Sequence, residues 1–318
     1  MRRLVVALAA RLWARPALLL WLPPLFWAGN LVLGRALGPT FPPVSLAVGR
    51  WVVALSVLAP FVARRAYEQR HLLRRHVMLI FGCGAFGIAG YNALGYLALQ
   101  TVPAASVAFL NSTLPLMVPL AAFALGVERV APRTLCGIAL SFVGVAWIVS
   151  RGDVGSLGQL SLGGGELLVL VAVANYALYS VLLRRKPAEL DPLVFLAATM
   201  AAGLIVLMPF WAVELSHGAT IPRDAGSLAA VLYIGIFASL LAFVLWNRCV
   251  ATLGATVTGA SFHLVALFTA ALAFLVLGEP VRPFHLIGIA LILAGFALAT
   301  LHRKAPDRPG LAAPLPRP

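Results

Sequence analysis

Fourteen residues near the end of one half of the chain recur in the other at a constant offset of 151. Thr101, Ala104, Leu116, Ala122, Phe123, Glu128, Pro132, Leu135, Gly137, Ile138, Ala139, Leu140, Gly144 and Ala146 return as Thr252, Ala255, Leu267, Ala273, Phe274, Glu279, Pro283, Leu286, Gly288, Ile289, Ala290, Leu291, Gly295 and Ala297, with no insertion needed. Such a match, in a chain this apolar, points to two copies of one membrane unit. The unit is apolar: 62% of the 318 residues are hydrophobic and 11% charged, where a soluble domain carries about 25% charged residues. The charges lie in short clusters between long apolar runs, which makes this a polytopic membrane protein. A net charge of +14 invites a nucleic-acid reading. The basic residues bracket hydrophobic spans and form no continuous polar face, so that reading is excluded.

A spanning helix needs about 20 apolar residues for a hydrocarbon core of about 30 Å. Ten segments qualify: 17–37, 43–63, 77–99, 104–126, 132–150, 164–183, 192–213, 227–247, 256–277 and 283–301. Pro42, Pro43, Pro132, Pro192 and Pro283 fall where a first helical turn tolerates a missing N–H. Pro103 and its repeat counterpart Gly254 divide spans three from four and eight from nine. With the N-terminus in the cytoplasm, nineteen of the 24 Lys and Arg residues fall on the inside. Arg35, Arg151, Arg223 and Arg282 fall outside, and Arg50 lies within a span. That is a strong positive-inside bias.

Five spans per half is an odd number, so the second copy crosses in the opposite sense. The expected fold is an all-α integral membrane protein of ten transmembrane helices, arranged as two inverted five-helix repeats with both termini cytoplasmic. Inverted duplication of this kind is a recurrent build of secondary transporters. The expected divisions are a basic N-terminus (1–16), a first repeat (17–150), an extracytoplasmic Gly-rich linker (151–163), a second repeat (164–301) and a disordered cytoplasmic tail (302–318). The start, Met1 to Ala10, has the look of a short signal peptide. Arg11 and Arg15 interrupt it, and it reads as a cytoplasmic lead-in. The linker glycines lack a Gly-Lys-Ser/Thr ending and form no phosphate cradle. Cys83, Cys136 and Cys249 are odd in number and scattered, which argues against a disulfide framework or a zinc site. No metal and no cofactor is expected.

Spans four and five read Ala108-Phe109-Leu110-Asn111-Ser112-Thr113-Leu114-Pro115, then Leu125-Gly126-Val127-Glu128, then Pro132 and Gly137 to Gly144. The second copy reads Leu277-Gly278-Glu279, Pro283 and Gly288 to Gly295. With Trp27-Ala28-Gly29-Asn30 in span one and Arg50 in span two, this resembles the EamA family of the drug/metabolite transporter superfamily over about residues 17–301. The resemblance implies ten spans, a central cavity between the halves, and export or exchange of small metabolites by alternating access. It also implies that spans five and ten are peripheral while spans one, three, four, six, eight and nine line the pathway. The implied place is a bacterial inner membrane. It leaves amino acids, other metabolites and drugs open as substrates.

Polar side chains deep in a bilayer are costly unless they face a cavity or a partner, so they are the candidates for substrate contact. Arg50 has no deep acidic partner and must bind carbonyls, amides, water or an anionic group of the substrate. Asn30 and the group Asn175, Tyr176 and Tyr179 lie near the middle of spans one and six, which are repeat equivalents. Interhelical hydrogen bonding is the alternative role for this group. Tyr91, Asn92 and Tyr96 with Asn111, Ser112 and Thr113 form an outer polar group; Asn247 and His263 form an inner one. Ser112 and His263 are 151 apart, which places them at mirrored depths as members of an outer and an inner gate. His263 is also a candidate proton carrier. Glu128 and Glu279 precede Pro132 and Pro283 and are read as satisfying N–H groups at the start of the next helix. Gly137 and Gly288, with Gly144 and Gly295, are read as close-packing positions.

Two other classes fit the sequence less well. A membrane-embedded enzyme would need a nucleophile, a metal cluster or paired acids, and the sequence offers no His-Glu-x-x-His, no Gly-x-Ser-x-Gly and no close acids within the spans. A non-transporting scaffold subunit gives inverted duplication no purpose. The expected partners are a small-molecule substrate and the bilayer, with a homodimer left open.

Overall fold

The computed structural model describes residues 19–126, 132–153, 163–253 and 261–300, and all regular structure among them is helical. In chain order the helices are α1 (Leu22–Leu37), α2 (Pro43–Glu68), the short α3 (Arg70–Arg75), α4 (Val77–Leu99), α5 (Ala104–Asn111), α6 (Leu114–Ala124), α7 (Pro132–Val149), α8 (Gly164–Leu183) and α9 (Pro192–Ser216). Then come α10 (Ala225–Tyr233, continued through a π-helical stretch into Ala242–Leu253), α11 (Leu264–Leu277) and α12 (Pro283–Thr300). Helices α2, α4, α8, α9 and α10 are long and apolar enough to cross a membrane; α5 and α6 together make a sixth span bent by 48°. Leu135–Ile148, Leu264–Leu277 and Pro283–Leu298 are shorter apolar helices. Helix α2 runs past its expected end to Glu68, and α9 past its own to Ser216. Hydropathy marks where side chains leave the apolar layer, whereas backbone hydrogen bonding continues beyond it.

The bend in span four was not expected from its apolar run, and the sequence explains it. Pro115 offers no N–H to the Asn111 carbonyl, so the helix cannot continue through that turn. The Ser112 and Thr113 hydroxyls donate instead to the Ala108 and Leu110 carbonyls, at 3.2 and 2.8 Å. The second copy turns at the matching place, Phe262–His263, before α11.

Two repeat-equivalent pairs, α2 with α9 and α7 with α12, lie side by side and antiparallel. Helices α2 and α9 are tied at both ends. Glu214 at the end of α9 accepts from the Val44 and Ser45 N–H groups at the start of α2, at 2.9 and 2.7 Å. Asp191, capping α9, accepts from Arg65 at 3.2 Å. Helices α7 and α12 cross through their glycines. A Cβ on Gly144 would lie 2.7 Å from the Gly288 carbonyl oxygen, and Gly295 leaves no more room against Gly137 and Ser141. The pair Gly144/Gly288 maps onto Gly295/Gly137 under the 151-residue offset, so one contact is made twice.

Two π-helical stretches, Gly84–Gly90 in α4 and Ile234–Leu241 in α10, fall at repeat-equivalent positions. Each packs a glycine on a helix of the other copy: Gly84 against Thr199 and Gly203 of α9, Gly235 against Arg50 and Val53 of α2. A third stretch, Ala273–Leu277, has a different cause. The two copies end their fourth spans at Gly126 and Gly278, both in the left-handed region with φ of 66° and 67°. The second copy carries one more residue before that glycine, and the π turn takes it up.

Candidate functional site

Arg50 is the centre of the site. It lies on α2 and is 3% exposed. Its guanidinium is held by side chains from three other helices. Nε donates to Ser239 Oγ at 2.7 Å. Nη1 donates to Asn92 Oδ1 at 2.7 Å, to the Tyr96 hydroxyl at 2.8 Å and to Asn30 Oδ1 at 3.2 Å. Tyr96 in turn donates to Asn30 Oδ1 at 2.5 Å. The two π-helical stretches aim these acceptors. Asn92 Nδ2 donates to the Gly87 and Ile88 carbonyls of the first stretch, and Ser239 donates to the Ile234 carbonyl at the head of the second. A π stretch shifts the backbone register and leaves carbonyls for side chains to use. The charge also sits 5.0 Å from the Trp51 ring centroid and 5.7 Å from that of Tyr96, within cation–π range.

Arg50 lines a small chamber of about 40 Å³ between the two halves, with Trp27, Asn30, Trp51, Tyr91, Asn111 and Tyr176 among the other walls. The chamber continues toward the ends of α1 and α4 as a narrower space of about 30 Å³ that reaches Gly95, Leu99 and Val107. In the other direction it widens into a vestibule of about 490 Å³ bordered by Tyr179, Ser180 and Lys186. Among the described residues no carboxylate lines any of the three.

The expected site residues divide as follows. Asn30, Arg50, Tyr91, Asn92, Asn111 and Tyr176 come together around the chamber, and Tyr179 lies in the vestibule wall. The rings of Tyr91, Tyr176 and Tyr179 follow one another in tilted contact, with centroids 4.7 and 5.1 Å apart and planes inclined by 56° and 59°. Asn175 stands outside that lining. It abuts Gly90 of α4 and donates to the Val171 carbonyl at 2.8 Å, which is an interhelical packing role. His263 also stands outside the chamber lining. It faces Phe296 at 4.8 Å and borders a separate apolar groove between α11 and α12. The turn at Phe262–His263 sends Phe262 into the chamber and His263 away from it. Glu128 and the side chain of Asn247 lie outside the described residues.

Glu279 serves a helix start, but not that of the next helix. Its Oε2 accepts from the Ala104 N–H that opens α5 at 3.0 Å, and its Oε1 pairs with Arg35 Nε at 3.1 Å. Arg35 also donates to the Leu99 and Gln100 carbonyls, so one knot joins the ends of α1, α4 and α5. The box at the start of α12 is closed by His285 instead. Its Nδ1 accepts from the Arg282 N–H, which leaves Nε2 to donate to Ser106 at 3.1 Å. Pro132 and Pro283 open α7 and α12 as expected.

Sequence reasoning missed Ser239, whose signal was its position as the single polar side chain between Ile234 and Leu245. The lining spans that the resemblance implied left out two and seven, although Arg50 of span two was itself a candidate. Arg50 and Trp51 come from α2, and Pro192, Phe195 and Thr199 from α9.

Comparison with known proteins agrees with this geometry. An uncharacterized transporter of Bacillus subtilis (strain 168), YyaM, is 28% identical over 82% of this chain and 85% of its own length. An uncharacterized transporter of Archaeoglobus fulgidus is 29% identical over 89% and 96%. A protein of Streptantibioticus cattleyicolor named as a probable terminal-alkyne amino-acid exporter is 31% identical over 80% and 82%. A protein of known crystal structure superposes with a TM-score of 0.58 over 90% of this chain and 97% of its own, at 22% identity, a likeness of fold. The pattern of the EamA-like transporter family matches residues 14–150 and again 163–301. The duplicated sequence, the paired antiparallel repeats and that double match establish that this multi-pass membrane protein belongs to the EamA-like transporter family.

Proposed function

We propose that the protein is a secondary transporter that exports or exchanges small organic solutes across a bacterial inner membrane by alternating access. It does so with ten spans in two inverted five-helix repeats and with both termini in the cytoplasm. The observation that carries this reading is the polar chamber on the interface between the repeats, joined to a wide vestibule on one side. In this state the Arg35–Glu279 knot holds the other side together. Lys186, the repeat counterpart of Arg35, borders the open vestibule and, among the described residues, donates to the nearby Pro187 and Leu190 carbonyls alone. The positive-inside bias puts Lys186 in the cytoplasm, so the state is inward-open. The repeats then exchange their roles to open the opposite side. The name of the Streptantibioticus relative favours amino-acid-like solutes and the outward direction. The lack of a carboxylate in the cavity lining among the described residues favours exchange or facilitated diffusion over proton coupling.

The test is flux through the purified protein in liposomes, using labelled amino acids, nucleosides and cationic drugs, with and without an imposed pH gradient. Saturable flux of one class supports the reading, and indifference to the gradient supports the exchange or diffusion form. Flux that never exceeds empty liposomes for any class, with no binding of any of them, sinks it.

A further inference from the structure

The chamber around Arg50 has hydrogen-bond donors to spare and no opposite charge. The guanidinium is 97% buried by its 3% exposure, and its four protein acceptors are all neutral. These bonds use Nε and Nη1 and leave Nη2 to a ligand, and among the described residues the buried indole N–H of Trp51, which also lines the chamber, has no acceptor. The Asn111 side chain is 5% exposed, lines the same space and makes no side-chain hydrogen bond among the described residues. An arginine held at its inner edge by neutral groups keeps its full charge and offers its free amino group to a planar anion. Charge buried without a counter-ion is unfavourable, and a ligand that brings one relieves it. The walls beyond are rings: Trp27, Tyr91, Tyr176, Phe243 and Phe262.

We propose that this chamber binds the carboxylate of an amphiphilic small acid, with Arg50 Nη2 as its anchor, the Asn111 amide as a second donor, and the aromatic walls on the apolar body. The transported solute is then a hydrophobic amino acid or organic acid, and cationic amphiphiles are excluded by the like charge of Arg50. This deepens the transporter reading and rests on it for the passage of the solute, though not for its binding.

Matched ligands on the unaltered protein in detergent or nanodiscs make the test, read by quenching of tryptophan fluorescence, since Trp27 and Trp51 line the site. The probes are 3-phenylpropionate, L-phenylalanine and L-leucine, each against its carboxamide, with phenethylamine as the cation. The acids are expected to bind at least tenfold more tightly than the amides, a ratio of about 1.4 kcal/mol, and phenethylamine not to bind. Arg50→Lys, which keeps the charge and loses the fork, should weaken acid binding at least tenfold, and Asn111→Ala should weaken it less. Equal affinity for acids and amides, binding of phenethylamine, or no binding of any acid overturns the proposal. If Arg50→Lys does not fold, the matched pairs on the unaltered protein decide alone. Liposome flux separates the two readings. Flux of amines would keep the transporter and defeat this site; acid binding without flux would keep the site and defeat the transporter.

Discussion

Removing one hydroxyl from the Arg50 cluster gives the sharpest test of how that cluster is held. Tyr96→Phe keeps the ring, which is 3% exposed and packed in the core. It deletes the acceptor for Arg50 Nη1 at 2.8 Å and the donor to Asn30 Oδ1 at 2.5 Å. A hydrogen bond to a charged group contributes about 1.5–3 kcal/mol and a neutral one about 0.5–1.5. Two considerations reduce that sum. Nη1 retains Asn92 and Asn30 as acceptors. Hydrogen bonds measured between membrane helices average only about 0.6 kcal/mol, because the chain unfolded in the membrane finds other partners. The expected loss is therefore about 1–2 kcal/mol, with the charged bond as the larger part. Reversible unfolding in mixed detergent micelles, followed by tryptophan fluorescence, measures it. Ser239→Ala removes the Nε partner of the same guanidinium. The double variant should depart from the sum of the two singles by more than about 0.5 kcal/mol. Additivity within about 0.3 kcal/mol would refute the reasoning, because it would mean that the two side chains do not share one charge.

Other perturbations separate structural ties from functional ones. Glu279→Gln keeps an acceptor for the Ala104 N–H and loses the partly exposed ion pair, so it should cost about 0.2–1 kcal/mol; Glu279→Ala orphans that N–H and should cost about 1–3, read by thermal unfolding. Gly288→Leu forces a side chain against Ile148 and the Gly144 carbonyl and should cost about 1–3 kcal/mol or more, visible as lost folded yield. His263→Ala should leave flux intact, because His263 borders the apolar groove and not the chamber; a large loss of flux at normal protein level would contradict that placement. At the exposed start of α10, the Ser227 hydroxyl and N–H hold the Asp224 carboxyl below its usual range. The contribution of this cap is therefore present above the unfolded carboxylate pKa and lost as pH falls through the lower folded value. Asp224→Asn should remove that acid-side dependence, as seen in unfolding curves from pH 3 to pH 6.

Much of this architecture was legible because hydrophobic length and repeat offset are global signals. The repeated glycines Gly137, Gly144, Gly288 and Gly295 were legible as close-packing positions, though not that they would meet one another across α7 and α12. Polar residues in apolar runs foretold six of the chamber walls, because a buried amide or hydroxyl must find a partner or a cavity. Which way a side chain points was not legible. Asn175 and Tyr176 are neighbours in sequence, yet only Tyr176 faces the chamber. The same holds for Phe262 and His263 on either side of a turn that no apolar run reveals. The partners of Glu279 were hidden for a further reason. Arg35 and Ala104 lie in the other copy, and distance along the chain gives no hint of which helix start a carboxylate will meet. The π-helical stretches were invisible too, since they follow from how the two copies seat their glycines and not from a residue pattern.

Side-specific labelling tests alternating access most directly. Gly95 lines the narrow end of the cavity with open space for a Cβ, and Ser180 lines the vestibule. With Cys83, Cys136 and Cys249 replaced by alanine, Gly95→Cys and Ser180→Cys can each be exposed to a membrane-impermeant thiol reagent from either face. The account predicts that Ser180→Cys reacts from the cytoplasmic face and Gly95→Cys slowly from the outer one. It also predicts that adding Glu279→Gln, which loosens the knot with Arg35, speeds the outer reaction while slowing the inner. Reaction of both cysteines from one face, at rates indifferent to Glu279, would contradict it.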